Sequence, residues 1–186
     1  MAPLPEARLD VDEVWKHIGV DFTGAFHLKA GPDGVQPRVY LCVFTYLVSR
    51  AIHLEVTENM STDCFLQALW RCGCRKGFPR SIYSDEAKNF KRAKLELNSL
   101  ARLLDNDPGR QGLAKFRVEW NLNVPHGQHR GGAWERVIRY VKETLRRVLG
   151  GAVVDLPTFQ TVVCEVEAFV NDRPIGQTDQ DPRSER

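Results

Sequence analysis

His17–Gly24 reads HIGVDFTG, and Ile18, Val20 and Phe22 alternate along it as one apolar face of a strand. Asp21 sits in the middle of that strand. A carboxylate taken out of water costs several kcal/mol unless it is paired, hydrogen-bonded or bound to a metal. Two placements stay open from the residues alone: Asp21 turned to a core, or turned to a cleft.

Working outward, residues 14–28 (VWKHIGVDFTGAFHL) read as a first long strand. Gly31, Pro32, Asp33 and Gly34 supply turn chemistry. RVYLCVFTYLV, from Arg38, is dense in β-branched and aromatic residues and predicts a second strand. Ser49–Arg50 offers a tight turn into AIHLEVTE, a third strand with Ile52, Leu54 and Val56 on one face and His53 and Glu55 on the other. Strands joined in series by short turns make an antiparallel meander.

The period then changes. Ser61 or Thr62 can cap a helix running to Lys76, closed by Gly77 and Pro79. SIYSD predicts a short strand ending at Asp85. Further helices are expected at about Phe90–Leu104 and Ala133–Leu149, and after Pro157 up to Pro174, the last burying Phe159, Val162, Val163, Val166 and Phe169. FRVEW, from Phe116, reads as another strand, and NVPHGQHRGG, from Asn123, as a mobile loop. A meander followed by strands alternating with helices implies an α/β chain with a mixed five-stranded sheet and helices on both faces.

The 186 residues suit one domain, with 42% hydrophobic and 27% charged residues. Residues 1–13 read as a flexible lead-in without a signal peptide, 14–175 as the core, and 176–186 as a flexible tail. No apolar run approaches the ~20 residues of a membrane span. Of the five cysteines, Cys42, Cys64 and Cys164 sit in apolar patterns and are expected in the core. Cys72 and Cys74 form a C-x-C with no second pair to complete a zinc site. Unpaired thiols suit a reducing, intracellular compartment.

Three carboxylates stand out: Asp21 on the first strand, Asp85 at the end of the fourth, and Glu135 at the start of the long helix. They are 64 and 50 residues apart, so they form no local charge run. Converging, they would suit hard divalent cations, two of which can activate a nucleophile and stabilise a leaving oxygen in phosphodiester chemistry. On the long helix Glu135, Arg139, Lys142 and Arg146 fall within about 60° of one another. That stripe is either a phosphate-binding face or an ordinary solvated helix face.

IGVDF, CVFTYLVSRAIHLEV, STDCFLQALWR, YSDEAKNF, HRGGAWERVIRYVKETLRRVLG and EVEAFVNDRPI occur here in the order of a known family. The chain resembles the catalytic core of a retrotransposon integrase, most closely the Pao/BEL type of LTR element, over about Trp15–Ile175. The resemblance implies an RNase H-like fold and a D,D,E site in which Asp21, Asp85 and Glu135 are catalytic and hold two Mg²⁺ or Mn²⁺ ions. It implies DNA integration: a polynucleotidyl transferase that nicks element DNA ends and joins the 3′-hydroxyls to target DNA. Arg139, Lys142, Arg146, Lys88, His129 and Arg130 would contact DNA. It further implies a homo-oligomer, at least a dimer, no membrane, and a nuclear location reached through a cytoplasmic particle. Two stretches depart from the family: Asp85-Glu86-Ala87-Lys88 stands where SDNGTNF has its Asn-Gly turn, and QHRGG replaces PHFGG. A catalytically inactive, domesticated DNA-binding or scaffolding descendant is the alternative. A stand-alone nuclease would want a fourth acid, a part that neither Glu86 nor Glu119 fills from the sequence.

Overall fold

The β-branched and aromatic runs pair as the meander that their turns predict. A computed structural model describes residues 14–32, 34–105, 118–122 and 128–173, and the side chains of all of these except 100–105, 122 and 128–135. β1 (His17–His27), β2 (Arg38–Tyr46) and β3 (Ile52–Thr57) come first; α1 (Thr62–Lys76), β4 (Ser81–Ser84), α2 (Lys88–Asp105), β5 (Glu119–Leu122), α3 (Gln128–Leu149) and α4 (Leu156–Asn171) follow. The sheet order is β3-β2-β1-β4-β5. β2 runs antiparallel to both β1 and β3, while β4 runs parallel to both β1 and β5. This is the expected mixed five-stranded sheet.

Each face of the sheet carries its own core. Leu41, Val43, Ile52 and Leu54 pack with Val141 and Leu145 of α3 and Phe159 and Val163 of α4. Ile18, Val20, Cys42 and Phe44 pack against α1 and α2. There the Phe65 ring sits 5.1 Å from Phe90 and 5.5 Å from Trp120. Ser61 caps α1, its hydroxyl accepting from Cys64 N–H at 3.3 Å. Asp155 caps α4, accepting from Thr158 N–H at 2.9 Å. That bond holds the Asp155 carboxyl below its usual range.

Several expectations need correction. The first strand starts at His17, because Trp15 takes a left-handed φ of 66° that breaks the extended run. The last strand is Glu119–Leu122 rather than 116–120; residues 116 and 117 lie outside the described residues. α2 begins at Lys88, before Phe90. Gln128–Gly132, read as loop, form the first turns of α3, while 123–127 lie outside the described residues. The two glycines there cost about 1 kcal/mol each in a helix, which is why the sequence argued against one.

On α4 the buried stripe is Phe159, Val163, Val166 and Val170, with Phe169 61% exposed. Cys42 is buried as expected, but Cys64 is half-buried and Cys164 exposed; Cys72 takes the second core position instead. Burial raises the Cys42 thiol well above its ordinary value and pushes Cys72 up to about 12. The lead-in, the tail and residues 174 and 175 lie outside the described residues.

Candidate functional site

Asp21 lies on β1 and Asp85 follows β4, and these two strands pair in parallel. Along the β1–β4 pair His17 faces Ser81, Ile18 faces Ile82 and Gly19 faces Tyr83, a constant offset of 64. The pairing ends there, and Asp21 and Asp85, separated by the same 64 residues, lie beyond the last pair. Alternation fixes the face. Ile18 and Val20 point to the α1–α2 side, so Asp21 belongs to the α3–α4 side. Ile82 points to the α1–α2 side as well, and Asp85 follows directly on the end of β4. β4 stops at Ser84 while β1 runs on to His27. β1 thus runs on past the end of β4, and the carboxyl ends of parallel strands are a recurrent place for ligands in open α/β sheets.

Asp21 is half-buried and its Oδ1 accepts from Phe22 N–H at 2.7 Å. Asp85 is exposed and its Oδ1 accepts from Ala87 N–H at 3.1 Å. That turn stands where the resemblance wants Asn-Gly. Glu86 and Ala87 are not among the described residues with positive φ, so the backbone freedom of glycine is not required. The Glu86 carboxylate, one residue from Asp85, is bound by Lys91 Nζ at 2.7 Å. The end of β4 is anchored by Ser84, whose Oγ donates to the Asp85 carbonyl at 3.0 Å and accepts from Trp120 Nε1 at 2.9 Å.

Glu135 lies on α3, but its side chain is outside the described residues. Val137, two residues on, is buried in the cluster that also takes in Tyr83, two residues before Asp85. Among the described residues no three His, Cys, Asp or Glu side chains converge as a metal site; Glu135 is not one of those described. Carboxylate oxygens at Asp21 and Asp85 are a donor set that fits hard divalent cations.

On α3 the buried side is Val137, Ile138, Val141 and Leu145, whereas Arg139 and Arg146 are exposed and Lys142 is half-buried. Arg139, Lys142 and Arg146 therefore face away from the sheet. Lys88 is exposed at the first position of α2. His129 and Arg130 lie in the first turn of α3, with side chains outside the described residues.

A second polar group was not foreseen. On β3, His53 and Glu55 are 4% and 5% exposed, against α1 rather than solvent. His53 Nε2 lies 2.9 Å from Glu55 Oε1, and Glu55 also takes Arg71 Nε and Arg75 Nη1 from α1. The far side of the ring meets Glu167 of α4. The signal was there in part: Arg71 and Arg75 share a helix face at i, i+4, and β3 carries acid and imidazole on one phase. A groove of about 680 Å³ opens beside this cluster, lined by Val56, Glu58, Gln67, Arg71 and Gln160 among others.

No family model matches the sequence, and no curated protein matches it. Solved structures do. One is the HTLV-2 integrase catalytic core domain in complex with magnesium, in its dimeric form: 16% identical, TM-score 0.54, covering 88% of this chain and 90% of that one. Another is a chain of the simian T-cell lymphotropic virus intasome in complex with PP2A regulatory subunit B56 gamma: 12% identical, TM-score 0.60, covering 87% of this chain. The chain spans 50% of the length of that intasome chain. At these identities the likeness is one of architecture, and it fixes that architecture: the chain has the RNase H-like fold of a retroviral integrase catalytic core.

Proposed function

We propose that the chain is the catalytic core of a DNA-integrating enzyme of the Pao/BEL retrotransposon type, a metal-dependent polynucleotidyl transferase acting as an oligomer in the nucleus. The observation that supports this reading is the 64-residue parallel register, the same interval that separates Asp21 from Asp85. Continued past its last pair, that register would set the two acids at one strand level and on one sheet face, near the helix that carries Glu135. Similar solved structures include a magnesium complex and an intasome, which favours the same chemistry here.

In this reading Asp21, Asp85 and Glu135 would hold two Mg²⁺ or Mn²⁺ ions. Bound, the ions would sharpen a water or 3′-hydroxyl as nucleophile and stabilise the leaving oxygen. The half-buried Asp21, backed by Phe22 N–H, would be the fixed ligand. Asp85 is oriented by its bond to Ala87 N–H. Arg139, Lys142 and Arg146, with Lys88, His129 and Arg130, would receive DNA phosphates.

The inactive, domesticated reading draws on Glu86, an extra acid next to Asp85. Its ion pair with Lys91 takes up that charge locally, which favours the active reading. The deciding experiment is a Mn²⁺-dependent nicking and strand-transfer assay on the wild type and Glu135→Gln. Activity that disappears in the variant supports the enzyme. DNA binding without turnover in either protein supports the scaffold.

A further inference from the structure

The His53 ring has a carboxylate at each nitrogen. Nε2 is 2.9 Å from Glu55 Oε1, and Nδ1 is 3.1 Å from Glu167 Oε2 and 3.2 Å from Oε1. A neutral imidazole has one N–H and one lone pair. With a single proton, one nitrogen would turn its lone pair toward a buried carboxylate. Only the doubly protonated ring donates to both.

The same Glu167 accepts from Leu54 N–H at 2.8 Å. Its neighbour one turn on, Asn171, accepts from Ile52 N–H at 2.7 Å and donates to Ile52 C=O at 2.9 Å. These outward backbone groups belong to the free edge of the sheet, so α4 reaches around that edge and holds it. The charges facing His53 come from every neighbouring element. Glu55 comes from β3 itself, and Glu167 from α4. From α1 come Arg71 and Arg75 on Glu55, and Lys76 at 3.7 Å from Glu167. The Phe44 ring of β2 stacks at 6.3 Å, and the Cys42 and Cys72 thiols nearby stay neutral.

We propose that His53 is a proton-operated clamp, whose imidazolium ties Glu55 of β3 to Glu167 of α4 and whose deprotonation loosens the grip of α4 on the sheet edge. The electrostatics of the ring agree with the geometry. Burial alone would lower the His53 pKa, but the hydrogen bonds to Glu167 and Glu55 more than reverse that and hold it above 6.5. The clamp is therefore closed below 6.5 and opens as pH rises through the higher folded value.

The test is nitrogen-resolved NMR of the His53 ring across pH on the intact chain, with amide exchange read at Leu54 and at Val20 in the middle of the sheet. Both ring nitrogens should carry protons at pH 6.5. Leu54 protection relative to Val20 should fall about tenfold or more across the His53 midpoint, the worth of one charge-assisted hydrogen bond. In His53→Gln, Leu54 protection should be low and free of that step. A singly protonated ring at pH 6.5 overturns the proposal, as does a Leu54 that tracks Val20 throughout or a step that persists in His53→Gln. If His53→Gln does not fold, the wild-type titration decides alone.

Discussion

At the residue scale, the weightiest side chain away from the candidate metal ligands is Glu55. Its side chain is 6% exposed and answers three cationic groups. Burial pushes its carboxyl up, yet hydrogen bonds from His53 and Arg71 bring it below the usual range. Glu167 follows the same pattern through His53 and Leu54 N–H. Removing one partner of a buried ion pair leaves the others uncompensated, at about 3–5 kcal/mol. The two arginines reach solvent and can rehydrate, so Glu55→Ala should cost nearer 3 kcal/mol in urea unfolding. The pH profile has a definite sign on each side. The carboxylates, with lowered pKa values, contribute stability that is present above 4.5 and lost as pH falls through their folded values. His53, with a raised value, contributes stability that is present below 6.5 and lost as pH rises through its folded value. Wild-type stability should thus peak between these limits. In Glu55→Ala the alkaline shoulder should shrink, because the remaining carboxylate raises the imidazole less. A profile unchanged by the mutation would mean that Glu55 is not what holds the proton on His53.

At the element scale, β3 is an edge strand, and open edges invite pairing with other chains. Its first half is covered by Asn171 and Glu167 of α4. Asn171→Ala should remove both bonds to Ile52, cost about 1–2 kcal/mol, and speed Ile52 amide exchange ahead of the sheet centre. Retained Ile52 protection would show that the helix, not this side chain, covers the edge. The strands of the meander were legible because alternation and β-branching act locally. Ile52, Leu54 and Val56 announced one buried face, but nothing local told that His53 and Glu55 on the other phase would also be buried; their partners come from α1 and α4, far along the chain. The α3 start was hidden for the opposite reason: Gly131 and Gly132 argue locally for a loop, and the helix prevails over that propensity. Asp21 was legible as a carboxylate within a strand and Asp85 as one at a strand's end. The parallel pairing of β1 with β4 was not, because a parallel register is set by the packing of the intervening elements rather than by any turn.

At the scale of the whole molecule, the proposed metal site and the basic helix make separate demands. A cation that binds only the folded chain must stabilise it. At a tenfold excess over the dissociation constant the gain is about 1.4 kcal/mol, or about 3–5 °C in Tm for a chain of this size. Mn²⁺ should raise the melting temperature of the wild type and not that of Glu135→Gln; equal shifts would place the ion elsewhere. The stripe on α3 is tested by salt. Arg139 and Arg146 are exposed and Lys142 is half-buried, all turned from the core side held by Val141 and Leu145. If the helix lies along DNA, each phosphate neutralised adds about 0.9 to the slope of log affinity against log salt on a duplex. Lys142→Ala should weaken binding to all sequences alike and lower that slope by about one. Partial burial gives the same substitution a packing cost, because the aliphatic stem of a lysine can cover apolar surface while its head stays wet. Affinity must therefore be compared between proteins shown to be equally folded, from about 50 to 200 mM salt. A solvated helix face predicts coincident lines for wild type and variant. Lines that differ in slope assign Lys142 to phosphate, whereas parallel but displaced lines trace the loss to a disturbed helix.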